Sequence, residues 1–145
     1  LGVFDFSVAH TWVHNHTSRQ YPGDPIENQL AYDSGYDIPR TKTSASVNWR
    51  LGDLSVGVHG QRMSRVPNYN EDGWTKATYM LNGTVQYEIN DRTRVSLAVD
   101  NLLDKDPPRD PTYSGYPYYD TSWFSATGRS YYLQLTHKFG GASGL

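Results

Sequence analysis

The sequence predicts an all-β fold: about six antiparallel strands in up-and-down order, forming a segment of a transmembrane β-barrel wall. Three observations predict it. Six stretches alternate apolar and polar residues with the period of two that a pleated strand imposes. The connections between them run long, short, long, short, long, which in a meander puts every long loop at one edge and every tight turn at the other. Aromatic rings fall at the two ends of the apolar faces, with aliphatic residues between them.

The first strand starts at Val3 and places Phe4, Phe6, Val8, His10 and Trp12 on one face, against Asp5, Ser7, Ala9 and Thr11. Asn15 to Arg40 follows as a long polar loop, broken by Pro22-Gly23, Asp24-Pro25, Ser34-Gly35 and Pro39, and carrying Tyr21, Tyr32 and Tyr36. Thr41 to Leu51 is the cleanest alternation, with Thr43, Ala45, Val47, Trp49 and Leu51 opposed to Lys42, Ser44, Ser46, Asn48 and Arg50. A tight turn at Gly52-Asp53 leads into Leu54 to Val66, where Leu54, Val56 and Val58 oppose Ser55, Gly57, His59 and Gln61. The second long loop, Pro67 to Lys76, holds Tyr69 and Trp74.

Tyr79 to Asp104 contains the central hairpin. Its first arm sets Tyr79, Leu81, Gly83, Val85, Tyr87 and Ile89 against Met80, Asn82, Thr84, Gln86 and Glu88. Asn90-Asp91-Arg92 breaks the pattern as a turn does, and Val95, Leu97 and Val99 resume it. Asn82-Gly83 is a strong hairpin dipeptide, but face parity runs through it unbroken, so it is expected to stay inside the strand. The third long loop, Lys105 to Thr127, carries Tyr113, Tyr116, Tyr118, Tyr119, Trp123 and Phe124. The last strand, Gly128 to Phe139, puts Tyr131, Leu133, Leu135, His137 and Phe139 on one face, and a small-residue tail occupies 140–145.

Composition removes several classes of function. No apolar run approaches the roughly 18 to 20 residues of a membrane helix, while barrel strands, being short and alternating, are unaffected by that test. A net charge of -2 with dispersed Lys and Arg offers no basic stripe for nucleic acid. Without Cys there is no disulfide framework, no thiolate chemistry and no Cys-based zinc site. Neither an initiator Met nor a signal pattern opens the chain at Leu1, which reads as a mature or cut piece of something longer.

Alternation alone fits a soluble sandwich as well as a membrane barrel; ring position separates them. The long-loop end carries Trp12, Tyr79 and Tyr131, and the tight-turn end Phe4, Trp49, Tyr87 and Phe139. Three strands repeat one spacing of eight residues, from Phe4 to Trp12, Tyr79 to Tyr87 and Tyr131 to Phe139. At ~3.3 Å per residue and ~40° of tilt this covers roughly 20 Å, close to the ~25 Å apolar band between the aromatic girdles of outer-membrane barrels. The opposite faces, with Lys42, Asn48, Arg50, Gln61, Gln86, Glu88 and Arg94, suit a wet lumen better than a sandwich core.

Candidate sites were weighed residue by residue. His14 and His16 share parity, but no further ligand is placed near them, so no metal and no cofactor is expected. Asp104, Asp106 and Asp110 match no calcium-loop spacing and read as a solvated acidic turn. Asn15-His16-Thr17 and Asn82-Gly83-Thr84 match the glycosylation sequon, a pattern too short to mark a site by itself. No Ser-His-Asp set, phosphate loop or paired carboxylates emerge, so no catalysis is expected. The best ligand-binding candidates are the loop rings Tyr69, Trp74, Tyr113, Tyr116, Tyr118, Tyr119 and Trp123, which offer rigid stacking area, although such rings also pack on one another.

Two segments carry a family resemblance. Val99 to Lys105, with Asn101, Leu102, Leu103 and Asp104, and Gly128 to Phe139, opening on Gly128-Arg129 and closing on an aromatic, resemble the C-terminal end of a TonB-dependent outer-membrane receptor. The Ile38-Pro39-Arg40 entry to a strand ending at Trp49 is similar too. Leu103 stands where that family has Phe, and six residues follow Phe139. The resemblance implies that residues 1–139 are the last six strands of a 22-stranded barrel, with 140–145 as a tail. It also implies a plug and a TonB box elsewhere, lipid outside the wall, and TonB-coupled uptake of a scarce large solute across the bacterial outer membrane. Ferric siderophores, haem, cobalamin and oligosaccharides are the solute classes. Two other readings stay open: a soluble β-sandwich that binds carbohydrate through its Tyr and Trp loops, and a passive porin-like barrel.

Overall fold

The computed structural model describes residues 1–34, 38–121, 123–125 and 127–140. Tyr36 and the tail from 141 onward fall outside them. Among the described residues the chain is all-β, without a helix. Eight strands form: β1 (Val3–Trp12), β2 (Thr17–Ser18), β3 (Glu27–Asn28), β4 (Thr41–Leu51), β5 (Leu54–Met63), β6 (Thr78–Asn90), β7 (Thr93–Asp100) and β8 (Ser130–His137). Six of them make one antiparallel sheet in the order β1-β4-β5-β6-β7-β8, and β2 pairs with β3 in a two-stranded ribbon.

The six long strands lie where the alternation places them, although β8 spans Ser130–His137 inside the expected Gly128 to Phe139, and two further differences stand out. β5 stops at Met63 rather than Val66, because Val66 has turned into the second loop, where its N–H and C=O bond Thr75 and its side chain is buried. The β2–β3 ribbon inside the first loop has no counterpart in the sequence pattern, since two residues per strand are too few to show a period.

Register carries the pleat across the whole sheet. Phe4 pairs with Trp49, Trp49 with Val56, Val56 with Val85, Val85 with Leu97 and Leu97 with Leu133, so one apolar row crosses all six strands. The other rows keep this parity except at the β6–β7 turn, where the register shifts between Glu88 and Asn90 and Asn90 pairs with Thr93; elsewhere a slip of one residue would turn a strand's apolar set to the wrong side. The other face carries polar pairs such as Ser7 with Ser46, joined at 2.7 Å, and Glu88 with Arg94, an exposed ion pair at 2.6 Å worth little on its own.

Contacts among the strands run between hydrogen-bonded neighbours, so among the described residues no second sheet packs on either face. The apolar face is therefore bare: Phe6 is 72% exposed, Val8 76% and Leu133 77%. Apart from Gly57 within β5, flanked by Asn48 and Thr84, the burial lies at the long-loop end, where Gln29, Leu30, Val66, Asn68, Asn101, Asp110 and Tyr119 are enclosed.

Asn82-Gly83 stays within β6, and its role is to receive the start of the third loop. Asn82 Oδ1 accepts the Asn101 N–H at 3.0 Å, and the Leu102 N–H reaches the Leu81 carbonyl at 2.7 Å. Leu102 lies over Gly83 so closely that a Cβ there would come within 2.9 Å of Leu102 Cδ1. Glycine thus leaves a notch that Leu102 fills. Gly83→Val is expected to displace Leu102 and cost about 1–3 kcal/mol as overpacking, with faster hydrogen exchange at the Asn101 and Leu102 amides. Adding Leu102→Ala should recover most of that loss.

Candidate functional site

Polar side chains, rather than apolar burial, give the long loops their shape. Asn101, at a φ of 52° that Asn tolerates better than most residues, donates from Nδ2 to the Lys105 carbonyl and accepts the Lys105 N–H at Oδ1, both at 3.0 Å. Asp104 reaches across to the far end of the same loop, accepting the Arg129 N–H at 2.9 Å. The two outer positions of the Asn-Leu-Leu-Asp motif therefore fix where the third loop leaves β7 and returns to β8.

Asp110 joins the third loop to the second. Nearly buried at 4% exposure, it accepts the Tyr69 N–H at 2.7 Å through Oδ2, and the Thr112 N–H and hydroxyl at 2.9 and 2.7 Å through Oδ1. Its own N–H donates to the Tyr118 carbonyl at 2.8 Å, which holds Tyr118 at a φ of 65°. Asn68 organises the second loop, accepting the Asp72 and Gly73 N–H groups while its amide donates to Asp72 at 2.6 Å.

The loop rings do not form one platform. Tyr69 and Tyr113 meet edge to face at 4.8 Å between centroids, across the loop boundary that Asp110 bridges. Tyr119 is buried beside Phe124, and Tyr116 pairs with Tyr118 further along the third loop. Trp74 packs between the Tyr32 ring at 6.2 Å and the Arg65 guanidinium at 4.6 Å. Trp123 is folded back across the sheet, with the Lys42 ammonium of β4 4.5 Å from its centroid. Among the described residues, no group of three or more Asp, Glu, His or Cys is placed to hold a metal ion.

The rings at the strand ends form two belts. Phe4, Trp12, Tyr79, Tyr87, Tyr131 and Phe139 are exposed; Trp49 is partly covered by Phe4 at 6.2 Å and donates from its indole N–H to the Leu1 carbonyl. Take the row from Phe4 to Leu133 as a baseline. Trp12 lies eight residues toward the long loops, Tyr79 six and Tyr131 two. At the other end, Phe4 and Trp49 lie on the baseline, Tyr87 two residues and Phe139 six residues toward the tight turns.

Both belts thus slope the same way, by six residues over five strand steps. Six residues at ~3.3 Å against five spacings of ~4.8 Å make an angle of about 40°, inside the 35–45° strand tilt of outer-membrane barrels. Rings that oblique to the sheet become level when the strands are tilted by that amount. Arg62 is the one Asp, Glu, Lys or Arg that the six strands put on the apolar face, and it lies in the row of Tyr79, at belt height. Lys105 reaches the same belt, its ammonium 3.2 Å from the Tyr79 ring centroid.

No family model matches the chain, and neither a curated protein nor a solved structure is significantly similar to it. Asp110→Ala is expected to part the second loop from the third. With hydrogen bonds to a buried carboxylate lost, the loops should open about 2–3 kcal/mol more readily. The readout is hydrogen exchange roughly 30- to 150-fold faster at the Tyr69 and Thr112 amides, with β4 to β7 unchanged.

Proposed function

We propose that this chain is a wall segment of a bacterial outer-membrane β-barrel, and that it serves as the C-terminal part of a TonB-dependent receptor for a scarce large solute. The observation that carries the membrane part is the pair of parallel ring belts, inclined by about 40° to the sheet rows with an almost uncharged apolar band between them. A soluble sheet has no reason to keep two aromatic lines parallel across six strands. Acyl chains on one side and water on the other account for both faces at once.

The assignment to a receptor family rests on the motifs at Asn101 to Asp104 and Gly128 to Phe139, whose outer members anchor the third loop. In this role the apolar face meets lipid and the polar face meets the lumen and its plug. The three long loops stand outside the cell, where ligand arrives, and TonB acts through the plug. β1 and β8 each have one strand neighbour, and unpaired backbone is not tolerated in hydrocarbon, so further strands of the same barrel complete both edges.

Fractionation tests this. The full protein should sediment with outer membranes, need detergent for extraction, and migrate faster on a gel before boiling than after. Recovery as a monodisperse protein in detergent-free buffer would favour the soluble carbohydrate-binding sheet instead.

A further inference from the structure

The second and third loops enclose a cleft of about 220 Å³ whose walls include Tyr69, Tyr113, Phe124, Pro108, Asp110 and Asp120. We infer that this cleft binds one ring of a neutral oligosaccharide, a step that rests on the receptor reading above and names the solute class. Size is the first argument. Sites that enclose a whole drug-sized ligand run from roughly 300 to 1,000 Å³, so this cleft takes a single ring-sized group of something longer.

Chemistry is the second. Tyr69, Tyr113 and Phe124 line the cleft, and apolar ring surface of this kind suits the C–H face of a sugar. Among the described residues neither Lys nor Arg lines the cleft, and two carboxylates do. That charge disfavours ferric siderophores of anionic type, the propionates of haem and phosphorylated ligands. Small organic cations are the competing guests, but Asp110 already accepts hydrogen bonds at both oxygens, which disperses its charge.

Preorganisation is the third argument. Asp110 ties the two walls together from a nearly buried position, and the Tyr69 and Tyr113 rings already touch across the join. The cleft is therefore formed before any ligand arrives, which spares the ordering cost of binding.

The test uses the full protein in detergent, titrated with neutral α- and β-linked glucan, xylan and mannan oligosaccharides, with choline and a ferric tris-catecholate as competing classes. Saturable binding is expected for at least one oligosaccharide. Tyr113→Ala should weaken it at least tenfold, Tyr113→Phe should keep it, and Tyr21→Ala in the first loop should leave it within twofold. No oligosaccharide binding, tighter binding of choline or of the ferric complex, or an equal loss in Tyr21→Ala would overturn the cleft assignment. The gel and extraction assay separates the two levels. A heat-modifiable membrane protein that ignores sugars loses the ligand class alone, whereas a detergent-independent protein that binds them loses the receptor reading and keeps the cleft.

Discussion

One constraint governs the molecule: the pleat stays in phase through five successive strand pairings. Because side chains alternate with a period of two, each pairing passes its parity to the next. Phe4, Trp49, Val56, Val85, Leu97 and Leu133 are brought into one row by that inheritance, and most of the apolar residues above and below it share their face. The outcome is a sheet with two unlike surfaces, neither of them covered by a second layer of strands among the described residues. An apolar surface of this extent, bare in water, would be a site of association or aggregation. Placed against acyl chains, it needs no cover.

The same division explains where the chain does bury side chains. A single sheet without a second layer has little core, so the enclosed residues gather in the long loops. There the ordering groups are polar. Asn101 and Asp104 fix both ends of the third loop, Asn68 turns the second, and Asp110 links the two. Each is an Asn or Asp that accepts backbone N–H groups in place of strand pairing, the property that makes these residues frequent in turns. Rigid loops at one edge of a two-faced sheet are what a capture surface above a membrane wall requires.

Much of this was legible in the sequence. Every long strand, both faces and the repeated spacing of eight residues follow from a period of two, because half-exposed strands with unlike faces give the strongest alternation. The slope of the belts was not legible. It depends on register between strands separated by long loops, and no local pattern records that. Asn82-Gly83 was read correctly as strand, yet its purpose emerged with Leu102 seated on Gly83, a contact between positions 19 residues apart. The arrangement of the loop rings was not legible in the sequence. In the sequence Tyr113, Tyr116, Tyr118, Tyr119 and Trp123 lie within eleven residues, which left open whether they offer stacking area to a ligand or pack on one another. They are dispersed among several partners, because loop backbone anchored by Asp110 and Asn101 turns successive residues in different directions. Asp110-Pro111-Thr112 carried a usable signal, an Asx-type turn, that pointed to the anchor rather than to the rings.

The most direct measurement is nitroxide scanning along β8. The chain has no Cys, so labels placed singly from residue 131 to 137 carry no background from it. With the full protein in lipid vesicles, collision rates with oxygen should peak at 131, 133 and 135, and rates with a water-soluble nickel complex should peak at 132, 134 and 136. A period of two with opposite phases for the two relaxing agents is the signature of lipid on one face and water on the other. Equal access of the nickel complex to 133, 134 and 135 would place both faces in water and contradict the membrane wall.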